Sequence, residues 1–150
     1  MSLQTWMDEF YPTPAQKFPT ELEAVEHSLR KWKGLTKESL EKHGVVHRRR
    51  RFSIRDDAHV QLAIDSTTCA LCAQHYQEST GFSDCNKCIL KKVNVSEVDG
   101  QHYGCDETLP GEERSTFYKF IDQSNPQPMI ELLEKAKAYL CQQNSAQNKA

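Results

Sequence analysis

At 150 residues with a formal net charge of -2, the chain has the size of one domain, which argues against a two-domain enzyme with a separate cofactor fold. Hydrophobic residues make up 37% and charged residues 27%, and the mean hydropathy of -0.73 points to a modest core. No apolar run reaches the roughly 18–20 residues of a membrane helix, and Met1–Glu9 lacks the basic and apolar regions of a secretory leader. The expectation is a cytoplasmic protein with no membrane partner, whose six cysteines are reduced thiols or metal ligands rather than disulfides.

Residues 1–19 set Trp6, Phe10, Tyr11 and Phe18 among Pro12, Pro14 and Pro19. Prolines oppose a long helix and the aromatic rings need a groove, so this segment is expected to be an extended arm packed on the domain. Thr20 opens a helix, with Glu23 at the capping-box position. Leu22, Val25, Leu29 and Trp32 follow at helical spacing as a core stripe, and Gly34 stops the run. Thr36 starts a shorter helix with Leu40 inward, ending at Gly44.

Charge is segregated here. Residues 28–55 hold ten basic residues against Glu38 and Glu41, a net +8, while the remainder of the chain carries -10. Such a run usually faces water or pairs with the protein's own acids. It can also steer a polyanion onto one face. Phe52 and Ile54, then Val60, Leu62 and Ile64, alternate around the Asp56-Asp57 turn. They predict a β-hairpin of about 48–55 with 59–65, with arginines at one parity forming an outward ladder.

Residues 66–108 are cysteine-rich. Pro110-Gly111 marks a turn. Ser115 caps a short helix with Phe117, Phe120 and Ile121 inward. Asn125-Pro126-Gln127-Pro128 opens the last helix, with Met129, Leu132, Leu133, Ala136 and Leu140 on its apolar face. The expected plan is an arm at 1–19, one domain at 20–142 and a polar tail at 143–150. The fold class is α+β: a small zinc-knuckle core with a β-hairpin, an N-terminal helix bearing Trp32 and a C-terminal packing helix.

Cys69-Ala70-Leu71-Cys72 and Cys85-Asn86-Lys87-Cys88 are two CxxC hooks separated by twelve residues. A tight turn brings both sulfurs of each hook to one side, and two hooks supply the four soft ligands that tetrahedral zinc prefers. The expected cofactor is one structural Zn2+ held by Cys69, Cys72, Cys85 and Cys88. Iron–sulfur binding and thioredoxin-type redox chemistry fit the pattern less well, since the latter needs a single hook opening a helix in a βαβ setting. Cys105 is an alternative ligand or a buried filler. His75 is set aside as an ordinary hydrogen-bonded histidine, and Cys141 reads as packing. Four thiolates close the shell, leaving no open position for water. GxSxG, HExxH, P-loop and GxGxxG motifs are absent, and adjacent acid pairs such as Asp106-Glu107 point to opposite faces of an extended chain.

In order, the chain shows Trp32-Lys33-Gly34-Leu35, Leu40-Glu41-Lys42-His43-Gly44, the CxLC hook at 69–72, the CxxC hook at 85–88, Cys105, Phe117 to Phe120, and Asn125-Pro126-Gln127-Pro128-Met129-Ile130. This set resembles a group of small uncharacterised bacterial and phage proteins with a Trp helix, a CxLC hook, a CxxCP hook, a fifth cysteine and a closing helix. The resemblance covers most of residues 20–141, and Ile89 stands where that group usually has proline. It implies an architecture and a bacterial or phage setting, and it implies no reaction.

Three functions follow as expectations. The leading one is a non-enzymatic zinc-stabilised binding module acting through a protein partner; in a phage it would modulate the host, for instance by inhibiting a defence system. The alternative is a nucleic-acid-binding protein using Arg48, Arg49, Arg50, Arg51 and Arg55 against phosphates, although a sequence pI near 6.3 speaks against a dedicated one. The third, an enzyme, would have to draw a nucleophile and base from Cys105, His102 and His75.

Overall fold

The computed structural model describes residues 2–148, with side chains through residue 144. Helix α1 (Leu3–Phe10) begins in a closed capping box: the Ser2 hydroxyl accepts from the Thr5 amide, and the Ser2 N–H donates to the Thr5 hydroxyl. The N-terminal arm is therefore not extended. Its first proline is Pro12, so the prolines only end the helix, and residues 3–10 can present Leu3 and Trp6 on one face. Trp6 is fully buried, and its indole N–H donates to the Gly34 carbonyl at 2.7 Å. The aromatic arm completes the core rather than lying over it.

Helix α2 (Glu21–Lys33) starts where Thr20 accepts from the Glu23 amide. Val25, Leu29 and Trp32 are buried as the periodicity requires, and so are Ser28 and Lys31. Gly34 follows with φ -75°, so its need for glycine is spatial. A Cβ there would stand 2.7 Å from the Phe10 Cβ. Helix α3 (Lys37–Lys42) is capped by Thr36 and followed by Gly44 at φ 64°. His43 ties α3 to α1: Nε2 lies 2.6 Å from Glu9 Oε2 and Nδ1 lies 2.9 Å from Thr5 Oγ1. Hydroxyl, imidazole and carboxylate stand here in the order of a nucleophile triad. The Thr5 hydroxyl, however, already donates to the Ser2 carbonyl at 2.8 Å within the cap, so the group fastens one helix to another.

Strands β1 (Val46–His47), β2 (Ser53–Arg55) and β3 (Gln61–Ala63) form an antiparallel sheet in that order, with Ile54 opposite Leu62. The expected hairpin is present but shorter, and the arginine ladder is not formed. Arg48 to Arg51 make the loop between β1 and β2, because Arg50 adopts φ 69° and its amide donates to the Ile121 carbonyl at 2.6 Å. At the turn, the Asp56 carboxylate accepts from the amides of Leu3, Ala58 and Val60, which anchors the start of α1 to the hairpin.

Helix α4 (Ala70–Gln74), the ribbon of β4 (Tyr76–Gln77) and β5 (Phe82–Ser83), and helix α5 (Ile89–Val93) carry the two hooks. Helix α6 (Thr116–Gln123), capped by Ser115, buries Phe120 and Ile121, and α7 (Gln127–Asn148) packs on α2, α5 and α6. The segment read as a polar tail continues α7 through Asn148; its last two residues, 149–150, lie outside the described ones. The architecture is mixed, helices plus small antiparallel sheets around one core containing Trp6, Trp32, Phe120 and Leu133. Among the described residues no helix is long and apolar enough to cross a membrane.

Two tests follow. Gly34→Ala is expected to destabilise the protein by about 1–3 kcal/mol, the usual range for forcing a methyl into a packed contact, read as a lower midpoint in urea unfolding. Its three amide donors hold the Asp56 carboxyl below its ordinary value of 3.8, the Leu3 amide contributing most. Asp56 therefore stabilises the fold fully above pH 3.8 and loses that contribution as pH falls through the lower folded value. Asp56→Asn is expected to lower the unfolding temperature at pH 7 and to flatten the acid limb of a thermal-shift profile below pH 4.

Candidate metal centre and adjoining cleft

The first hook is set from below. Asp65 caps a 3-10 turn at Ser66–Thr68, and the buried Lys31 ammonium donates to the Thr68 carbonyl at 2.8 Å. Cys69 follows as the N-cap of α4 in extended conformation. Ala70 and Leu71 enter the core and hold the turn rigid. The chain then leaves along β4, turns at Gly81 (φ 75°) and returns along β5, with Tyr76 opposite Ser83 and Gln77 opposite Phe82. The Ser83 hydroxyl donates to the Cys72 carbonyl at 2.6 Å, closing the return against the first hook.

The second hook repeats the device. Asp84 caps the turn Cys85–Lys87 through the Asn86 amide, and Cys88 is the N-cap of α5. Ile89, where the resembling group has proline, is the first residue of α5 and is buried.

Cys105 arrives by long-range pairing. Asn94 and Tyr103 exchange backbone and side-chain bonds, Val95 bridges His102, and the Phe117 amide donates to the Cys105 carbonyl at 2.8 Å. Glu107 accepts from the Gly104 amide at 2.7 Å and pairs with Lys91 at 3.2 Å, drawing the segment onto α5.

Cys69, Cys72, Cys85, Cys88 and Cys105 line one small cavity of about 30 Å³ together with His75. All five are free thiols, as is exposed Cys141. The Nε2 atom of His75 is buried with no hydrogen-bond partner, 3.6 Å from Glu21 Oε1. Among the described residues, no three His, Cys, Asp or Glu side chains stand in ligating geometry, so the sulfurs surround the cavity without meeting at a point.

The electrostatics are those of crowded acids. A hydrogen bond from the Cys72 thiol, the Lys31 charge and the neighbouring amides pull Cys69 down to about 5 against the effect of burial. Cys72 is pushed up as the proton-holding partner of that pair. Burial lifts Cys88 to about 12 and Cys105 well above an ordinary thiol, with the other cysteines adding repulsion. A divalent cation relieves this kind of crowding, because coordination replaces the protons.

Lys31, not foreseen among the site residues, is 1% exposed, and burial lowers its readiness to hold a proton while Cys69, Cys72, Asp65 and Cys105 act to raise it. Its sequence signal is faint: it lies one position before Trp32 and three after Ser28, beside the apolar stripe. Arg48 to Arg51 are exposed, and Arg55 is half-buried. Among the described residues none of the five arginines joins an ion pair, whereas Lys33, Lys37 and Lys42 of the same basic segment pair with Glu134, Glu41 and Glu9. No protein-family model matches this chain, nor does any curated protein or solved structure.

Proposed function

We propose that the protein is a non-enzymatic binding module whose hook segment is held by one structural zinc ion and which acts through a protein partner. The observation that carries the metal is the gathering of five cysteines, four half-buried and Cys85 exposed, and one unpartnered imidazole nitrogen around a cavity of about 30 Å³. The donor set is soft and suits zinc. Cys69, Cys72, Cys85 and Cys88 would hold the ion, with Cys105 as the alternative to the most exposed of them, Cys85. Bound zinc would supply a cross-link between α4, α5 and the ribbon, and four thiolates would leave no position for a reacting water.

The partner reading draws on the ribbon between the hooks. Tyr76 and Phe82 are 55% and 76% exposed on a ribbon of two-residue strands that the hooks hold at both ends. Large apolar side chains presented on a fixed ribbon are a common form of protein docking surface. In a bacterial or phage setting the partner would belong to the host, and a defence component fits that role.

Metal content tests the first part. Elemental analysis of purified protein is expected to give one zinc per chain. Cys72→Ser and Cys88→Ser are expected to lose it together with roughly 10 °C or more of thermal stability, while Cys141→Ser keeps both. A zinc-free, equally stable protein would overturn the reading. For the partner, crosslinking in host lysate is expected to give a stoichiometric adduct that disappears with Tyr76→Ala/Phe82→Ala.

Nucleic-acid binding is the second reading, favoured by the exposed, unpaired guanidinium groups of Arg48 to Arg51. Replacing all four by alanine is then expected to abolish binding of single-stranded DNA in low salt, measured by fluorescence anisotropy. Unchanged binding would remove the idea.

A further inference from the structure

Next to the thiol cavity lies a cleft of about 640 Å³. That volume falls within the roughly 300–1,000 Å³ of small-molecule sites. Its walls are aromatic. Trp32 comes from α2, Phe117 from α6, Phe52 from the segment before β2, and Phe82 from the ribbon. Phe52 stacks on Phe117 with ring centroids 6.3 Å apart and planes at 28°, while Trp32 meets Phe117 edge-on at 6.0 Å.

The polar groups are few and of opposite kinds. Lys31, buried and donor-only, lines the cleft with Asp65, an acceptor-only carboxylate. The ammonium has three N–H groups, and the one hydrogen bond it makes among the described residues goes to the Thr68 carbonyl. Asp65 uses Oδ1 for the Thr67 amide and hydroxyl, and among the described residues no hydrogen bond reaches Oδ2. Asp106 also lines the cleft, exposed to solvent.

These features select the ligand. A hydrocarbon would strip water from Lys31 and Asp65 and return no hydrogen bond, which is costly for buried polar groups. An anion would meet two carboxylates against one ammonium, and a cation would meet the ammonium itself. A neutral ring whose edge carries both an acceptor and a donor satisfies both side chains and packs its faces against the aromatic walls.

We propose that this cleft binds a neutral planar ring bearing a cyclic amide, the chemistry of a nucleobase edge, with Lys31 donating to the ring carbonyl and Asp65 accepting from the adjacent ring N–H. Tyr76 and Phe82 line the cleft as well as the exposed face of the ribbon, and the proposal does not depend on the identity of a protein partner. Phe82, 76% exposed on the ribbon, is the wall with most freedom to close over a bound ring.

The test uses the full chain as purified, with uracil and hypoxanthine as probes and 1,3-dimethyluracil and benzoate as controls, measured by saturation-transfer NMR and calorimetry. Uracil or hypoxanthine is expected to bind. Loss of the N–H in 1,3-dimethyluracil is expected to weaken binding by about tenfold, the effect of leaving one half-buried, charged acceptor unmatched. Benzoate is expected to bind more weakly than either probe. Phe82→Ala, at an exposed position that leaves the fold intact, is expected to weaken binding several-fold, and Asp65→Asn to narrow the gap between uracil and its dimethyl analogue. Lys31→Met should abolish binding; should it fail to fold, the Phe82 and Asp65 variants decide. The proposal is overturned if neither probe binds at millimolar concentration, if the dimethyl analogue binds as well as uracil, or if Phe82→Ala changes nothing.

Discussion

A single ammonium group organises the centre of this protein. Lys31 is buried on α2, its charge removed from water, and the carbonyl it bonds belongs to Thr68, the residue before the first hook. Burying an ion is costly unless its surroundings compensate. Here the Thr68 carbonyl, Asp65 and the Cys69 sulfur offset part of that cost, while burial still weakens the hold of Lys31 on its proton. The dependence runs both ways. The Cys72 thiol, and after it the Lys31 charge, favour the Cys69 thiolate, and that thiolate in turn favours a charged Lys31 against the effect of burial. A site with four thiolates on zinc is formally -2, so one fixed cation beneath it offsets half of that charge.

The rest of the fold supplies rigidity around that pair with little apolar material. The N-terminal helix supplies Leu3 and Trp6 to the same core as Trp32 and Phe120. It is fixed in three directions: the Trp6 indole on Gly34, the Leu3 amide on Asp56, and Glu9 on His43. Each tie reaches a different element, so α1 cannot slide without breaking one of them. Its removal would expose the C-terminal end of α2, the helix that holds Lys31.

Short-range physics was legible in the sequence. Thr20, Thr36 and Ser115 cap the helices they were expected to open, because a cap is decided by three or four consecutive residues. Alternation located the hairpin, though its strands cover only 53–55 and 61–63 of the expected 48–55 and 59–65. What escaped depends on contacts distant in sequence. The arm was read as extended from prolines that lie beyond its helix. The arginines left the strand because Arg50 bonds Ile121, seventy-one positions away. Gly34 stops α2 as expected, but its close approach to Phe10, twenty-four positions back, was hidden. The hooks were visible as spacing. The approach of Cys105 rests on pairings at 94–103, and the aromatic cleft joins four segments, so neither leaves a pattern in any one stretch of chain.

The cleft and the thiol cavity share Cys69, Cys72, Cys85 and Cys105, so they share a wall. That wall is also the base of the ribbon carrying Phe82, which the Ser83 hydroxyl fastens to the first hook. A cross-link at the sulfurs would restrict the ribbon, and the ribbon forms one side of the cleft. Any ligand that needs Phe82 in position would then bind more tightly to the cross-linked form, and by linkage it would favour that form to the same degree. The coupling needs no moving domain. It follows from two cavities that share six lining residues, four of them cysteines, with Lys31 lining the cleft and acting electrostatically on Cys69.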